Sequence, residues 1–222
     1  MRQPVVVSRV RKTYGDGTVA LDDVSLDVAP GELVALLGPS GCGKSTLLNL
    51  IGCIDLPDDG EVRIDGVATS SLNDDELTAL RRNRIGTVFQ FFNLLPTLDL
   101  RDNVALPLVL QGLARDDVSR RVEAALAAVG VTDRAAALPS AVSGGQLQRA
   151  AIARAIVHQP AILLADEPTG NLDSHNGELV LGMLRDLAVN GQAILMATHS
   201  AEAAARADRR IQMRDGKIVS IE

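Results

Sequence analysis

Short aliphatic runs alternate along the chain with longer stretches whose apolar positions recur at helical spacing, and this pattern predicts an α/β protein. Val5 to Val10 and Val24 to Val28 read as strands, the second with Val24, Leu26 and Val28 on one face, as in a half-exposed antiparallel strand. Glu32 to Leu37 is a buried strand and Lys44 to Ile51 a helix. Glu61 to Gly66 alternates and closes on Asp65-Gly66, a hairpin signal. Asn73 caps a predicted helix reaching to about Arg82, acidic in its first turn and basic in its last. Ile85 to Phe89 is a short strand ending on Gln90.

The period then changes. Phe91 to Pro96 is an apolar loop, whose ordinary role is core packing and whose alternative is a partner surface. Arg101 to Leu110 and Arg115 to Gly130 read as helices, the second with Val118, Val122, Ala125, Leu126 and Val129 at helical spacing, and no strand is expected before Ala141. Leu147 to Val157 and Asn176 to Val189 are further helices; Ile162 to Asp166 and Ala193 to His199 are further strands. Arg209 to Met213 and Lys217 to Ile221 flank Asp215-Gly216 as a second hairpin. The expected organisation is a single unit over 1–222, with 1–90 and 142–222 forming a core with an antiparallel part and about 91–141 a helical insertion.

Candidate chemistry starts between the Glu32 strand and the Lys44 helix. Gly38, Pro39, Ser40, Gly41, Cys42, Gly43, Lys44, Ser45 and Thr46 match the phosphate-loop pattern G-x-x-x-x-G-K-[ST] at every fixed position. A loop that wraps a polyphosphate must bring its N–H groups close, and the glycines are expected to clear the way and to permit positive φ. Lys44 can reach the β- and γ-phosphates, and Ser45 offers a hydroxyl to Mg²⁺. The following helix presents its positive end to the phosphates.

Other strands also end in useful residues. Asp166 and Glu167 close one of them; in a phosphate-loop protein the first would order Mg²⁺ and the second would orient and polarise an attacking water. His199 could donate to a γ-phosphate or that water, and Gln90 is placed to face a ligand. Tyr14 is either a ring stacked on a nucleotide base or an ordinary strand-end aromatic. Ser143, Gly144, Gly145 and Gln146 open a helix and form either a second anion-binding element or a simple N-capped turn. His158 and His175 read as structural.

Composition narrows the classes. A net charge of −6 weighs against a general nucleic-acid coat, and 2% aromatic residues leave few stacking platforms for single strands. Cys42 and Cys53 provide neither a disulfide framework nor metal-ligand spacing, so a reducing cytoplasm is the easiest fit. No apolar run approaches the roughly 20 residues of a spanning helix, and Met1 to Val5 has no apolar leader character.

Taken together, these motifs resemble the ATP-binding cassette (ABC) transporter ATPases over nearly the whole chain. Ser143-Gly-Gly-Gln146 is similar to that family's signature, although Val142 stands where Leu is usual and Leu138 where an aromatic is common before Pro139. The resemblance implies a P-loop NTPase core: a mixed, mainly parallel sheet with helices on both faces, an antiparallel β subdomain and an inserted helical subdomain. It implies ATP and Mg²⁺ as ligands and an ATP-dependent head-to-tail homodimer in which Ser143, Gly145 and Gln146 serve the opposite subunit's ATP. Tyr14 would stack on adenine, and Gly38 to Thr46, Lys44 among them, would hold the phosphates. Mg²⁺ would meet Ser45 and Asp166, and Gln90 would touch Mg²⁺ or the attacking water and report to the helical lobe. Glu167 would be the general base, His199 would brace the γ-phosphate, and Asp173 would lie in the loop crossing the dimer.

Pro168 to Asp173, Phe92 to Thr97 and Asn103 to Pro107 resemble the branch serving lipoprotein release, macrolide or peptide export and cell division. The implied partner is an integral membrane permease, which would hold the cassette on the cytoplasmic face of the membrane; no nucleic acid is expected. The rival reading is a soluble or cell-division-type cassette that gates a partner without moving a substrate. A chromosome-type relative would carry a long coiled coil, and no heptad array is present.

Overall fold

The computed structural model describes residues 3–222, so the Met1 to Val5 stretch begins outside the described residues. The order is β1 (Val5–Thr13), β2 (Val19–Val28), β3 (Leu33–Leu37), α1 (Lys44–Ile51), β4 (Asp59–Ile64), β5 (Val67–Ala68), α2 (Asp74–Arg84) and β6 (Ile85–Val88). Then follow α3 (Leu100–Leu110), α4 (Arg115–Ala128), α5 (Gly144–Ile156), β7 (Ile162–Asp166), α6 (Ser174–Val189), β8 (Ala193–Ala197), α7 (Ala201–Ala205), β9 (Arg209–Arg214) and β10 (Lys217–Ile221).

Two sheets form. One is antiparallel in the order β2-β1-β4-β5; the other has the order β10-β9-β3-β8-β7-β6, with only the β9–β10 pair antiparallel. The period-2 rule divides the core. From β3, Val34 and Leu36 face a layer shared with α1 and the antiparallel sheet, while Leu33 and Ala35 face α5 and α6. Leu163 and Ala165 of β7, and Ile194 and Met196 of β8, join the second layer. Helices therefore cover both faces, and the parallel strands are buried on both sides as near-continuous apolar runs.

Several boundaries differ from the sequence pattern for identifiable reasons. β2 begins at Val19, five residues early, because Arg9 and Asp23 sit at positive φ and shift the β1–β2 register, which hides the alternation. α5 begins at Gly144, because Ser143 and Gln146 form a capping box. α6 begins at Ser174, capped by Asp173. The short α7 was not foreseen; Ser200 caps it. The apolar loop after β6 does not pack into the core as its composition suggests: Phe91 is 72% exposed and Leu95 47%. Asn103 holds the chain there, accepting from the N–H of Leu95 (2.7 Å) and donating to the carbonyls of Leu95, Leu98 and Asp99.

Candidate active site

The carboxyl ends of the parallel strands deliver Gln90, Asp166, Glu167 and His199 to one cleft of about 520 Å³. Tyr14, Ser40, Gly41, Gly43, Lys44, Ser45 and Thr46 line the same cleft. Gly38, Pro39 and Cys42 belong to the loop but do not face the cleft; Cys42 is buried.

The loop's glycines divide by role. A Cβ on Gly38 would fall 2.3 Å from the Met213 carbonyl oxygen, and one on Gly43 2.5 Å from that of Ala20. These two positions are glycine because neighbouring strands press on them, with φ of 150° and 105°. Gly41 alone, at φ 79°, would point a Cβ into open space, so only there does clearing the way for a ligand account for the residue. Gly43 also occupies the N-cap of α1 and has no side chain to cap the helix, whose first turn carries no acid. Its N–H groups thus face the cleft free of side-chain competition. The Lys44 ammonium donates to the carbonyls of Gly38 (2.7 Å) and Pro39 (3.0 Å).

Opposite stands the carboxylate pair. Burial first, and the neighbouring Glu167 charge second, push the Asp166 carboxyl above its usual range, with Lys44 acting against them. Glu167 takes a left-handed backbone conformation, φ 46°, fixed by its N–H bond to Ala197 (2.9 Å). Its Oε1 meets Nδ1 of His199 at 2.8 Å, and its Oε2 accepts from Thr198 Oγ1 at 3.3 Å. Thr198 is fully buried, and nothing in the sequence pattern marked it.

Tyr14 stands at the cleft mouth, 40% exposed, its hydroxyl 3.3 Å from Thr46 Oγ1 and its ring 5.9 Å from the Lys12 ammonium.

Ser143, Gly144, Gly145, Gln146 and Asp173 do not enter this cleft. Ser143 N–H donates to Gln146 Oε1 (2.9 Å) and Gln146 N–H to Ser143 Oγ (3.3 Å). A Cβ on Gly145 would fall 2.0 Å from Asn176 Oδ1, so this glycine lets α6 approach. Asn176 in turn donates to Asp173, through N–H (2.9 Å) and side chain (2.7 Å), which holds the Asp173 carboxyl below the usual range. The second group is joined to the cleft by Asn171, which donates to the Gln90 carbonyl (3.0 Å) and faces the Gln90 amide at 3.4 Å. Nothing in the sequence pattern marks Asn171 for this bridge.

His158 is structural as expected: it is buried, with Nε2 against the Ile85 carbonyl (3.2 Å). Among the described residues no helix is long and apolar enough to cross a membrane, and no group of three His, Cys, Asp or Glu could hold a metal.

This geometry has known counterparts. The family model for ABC transporters matches residues 21–170. The macrolide export ATP-binding/permease protein MacB of Rhodopseudomonas palustris is 45% identical over 99% of the chain, which spans 34% of that relative's length. The uncharacterized ABC transporter ATP-binding protein YknY of Bacillus subtilis is 44% identical, with 97% of this chain and 95% of that one covered. Among solved structures, the dimeric post-hydrolysis state of the ATP-binding cassette MJ0796, bound to ADP and Pi, aligns with TM-score 0.89 at 42% identity, covering 98% and 97% of the two chains. CbiO1 of Clostridium perfringens, part of an ABC transporter complex, aligns with TM-score 0.91 at 28% identity, covering 100% and 88%. The chain belongs to the ABC transporter family, as one of its ATPase cassettes.

Proposed function

We propose that this cassette binds Mg-ATP in the Lys44 cleft, pairs head to tail with a second copy, and drives a separate membrane permease from the cytoplasmic face. We assign that work to export, lipoprotein release or mechanical transmission across the membrane. In this reading 1–90 and 142–222 form the nucleotide-binding core and about 91–141 its helical arm.

One observation carries it. Lys44, Asp166, Glu167 and His199 converge on one cleft, while Ser143 to Gln146, which we read as a second anion-binding element, stand apart at the start of α5. A second element without a ligand of its own is what a facing copy requires. The MJ0796 relative was solved as a dimer, and MacB carries its cassette and permease in one chain; both support the reading.

The residues present fit Mg²⁺. No cluster of three strong ligands exists among the described residues, but the Ser45 hydroxyl and the half-buried Asp166 carboxylate line the cleft, a sparse set that suits Mg²⁺ held mainly by phosphates and water. The under-compensated charge of Asp166 favours a cation beside it. Gln90 would complete the set. The ion, when bound, would neutralise charge on the transferred phosphoryl.

The chain's own groups do the rest. Lys44 exchanges the neutral Gly38 and Pro39 carbonyls for the phosphates, so that its charged donor meets charged acceptors. Tyr14 supplies a face for the adenine. Glu167 accepts a proton from the attacking water, and His199 holds that carboxylate and braces the γ-phosphate. Ser143, Gly145 and Gln146 close on the other copy's ATP, beside Asp173 in the crossing loop. The groove between core and helical arm, near Phe91 to Asn103, receives a short helix of the permease.

Turnover by Glu167→Gln tests the assignment of the base. The expected result is a fall of at least about 10²-fold with ATP affinity kept within a few-fold. Unchanged turnover would remove Glu167 from that role.

A further inference from the structure

One fully buried polar side chain lies inside α5, and the cleft does not account for it. Gln148 stands on the second turn of the helix that Ser143 caps. Its Nε2 donates to the Pro168 carbonyl at 2.6 Å, and its Oε1 is buried with no hydrogen-bond partner among the described residues. An amide with one good bond and one orphaned acceptor adds little to stability, because the unmet oxygen costs about as much as the bond contributes. What the amide does supply is a donor at one fixed point.

That point adjoins Glu167. The Gly170 N–H donates to the Glu167 carbonyl at 3.0 Å, so 167–170 is a turn with Pro168 in its second position. Thr169, in the third, is not at positive φ, which excludes the type II form. The two common turn forms differ by a flip of the central peptide, here the one whose carbonyl belongs to Pro168. Pro168 is buried, and no backbone N–H among the described residues donates to that carbonyl; Gln148 does. Glu167 is thus fixed from the strand side by its N–H bond to Ala197, and from the turn side by one bond from α5.

We propose that Gln148 is a positioning residue for hydrolysis: by holding the Pro168 peptide in one of its two orientations it keeps the Glu167 carboxylate aligned with the attacking water. This rests on the reading of Glu167 as the base, and adds the group that sets its backbone. The Glu167 side chain already has His199 and Thr198 to orient it, but both act on a carboxylate whose starting direction the left-handed backbone decides.

Turnover, ATP affinity and melting of Gln148→Met and Gln148→Glu test this. Met keeps the length of the side chain and cannot donate. It removes the orphaned Oε1 and orphans the Pro168 carbonyl instead, so the melting temperature should move by only a few degrees. The expected result is a fall in kcat of about tenfold, with KM and ATP affinity within about twofold. In a Glu167→Gln background there is no base left to align, and Gln148→Met should change the single-turnover rate by less than about twofold. Glu donates to a carbonyl only when protonated, and burial raises its pKa. The kcat of Gln148→Glu relative to the parent should therefore climb as pH falls from about 8 to about 6, while the Gln148→Met ratio stays flat.

Unchanged turnover in Gln148→Met, a tenfold loss repeated in the Glu167→Gln background, or a flat ratio for Gln148→Glu would each overturn the proposal and leave Glu167 as the base. Unchanged turnover in Glu167→Gln itself would remove that reading instead. Failure of both Gln148 variants to fold would make the residue a structural one and overturn its positioning role.

Discussion

Glu167 and His199, 32 residues apart in the chain, meet with Oε1 and Nδ1 at 2.8 Å, and the glutamate is held there by a backbone in the left-handed region. A non-glycine residue adopts φ 46° only where its surroundings insist, and here the Ala197 carbonyl and the buried Thr198 hydroxyl do so. The contact fixes the orientation of the carboxylate and leaves the exposed imidazole edge for a ligand.

His199→Ala should therefore lower kcat for ATP by about 10²-fold or more while the affinity for ATP changes by only a few-fold. Steady-state turnover and equilibrium nucleotide binding on the same preparation give both numbers. An equal loss in both would make His199 a binding group alone.

Asp166 links function to stability. Its carboxyl is raised above the unfolded value, so its ionisation disfavours the folded state. The sign follows. The stability associated with the protonated form is fully present below the ordinary carboxylate pKa, and is lost as pH rises through the raised one. Asp166→Asn should thus melt roughly 1–3 °C higher than the parent at pH 7 without nucleotide, and the gap should close in acid below the ordinary carboxylate range. The same variant should lose Mg²⁺-dependent hydrolysis. A lower melting temperature at pH 7 would contradict the burial argument.

The loop glycines should separate in the same way. Gly38→Ala and Gly43→Ala place a Cβ against a backbone carbonyl and should destabilise the fold by about 2–4 kcal/mol, measured by denaturant unfolding. Gly41→Ala meets nothing and should cost the fold only about 1 kcal/mol, for its positive φ, while weakening ATP binding more than that. Equal unfolding costs at all three positions would undo the distinction.

The sequence carried the catalytic cleft well because its residues end strands, and strand ends are visible as apolar runs that stop on a polar side chain. Asp166 ends β7 with Glu167 next to it, and Gln90 and His199 lie two residues past β6 and β8. Positive φ at Gly38 and Gly43 agrees with the sequence reading, but the further reason for glycine there is a carbonyl from β9 or β2, a contact between segments far apart in the chain. Asn171 and Thr198 were missed for the same cause: each matters only through a partner brought by the fold. The apolar loop at Phe91, whose composition fits core packing or else a partner surface, stands exposed, since composition does not say which surface a loop turns outward. The β2 start was hidden by a bulge, which breaks the alternation on which strand reading depends.

The most direct test of the central claim is the solution mass of Glu167→Gln by sedimentation, with and without Mg-ATP. A monomer of 23.4 kDa is expected without nucleotide and a dimer of twice that mass with it, returned to monomer by Ser143→Arg in the same background. A monomer in both conditions, or a dimer indifferent to Ser143→Arg, would contradict the head-to-tail arrangement.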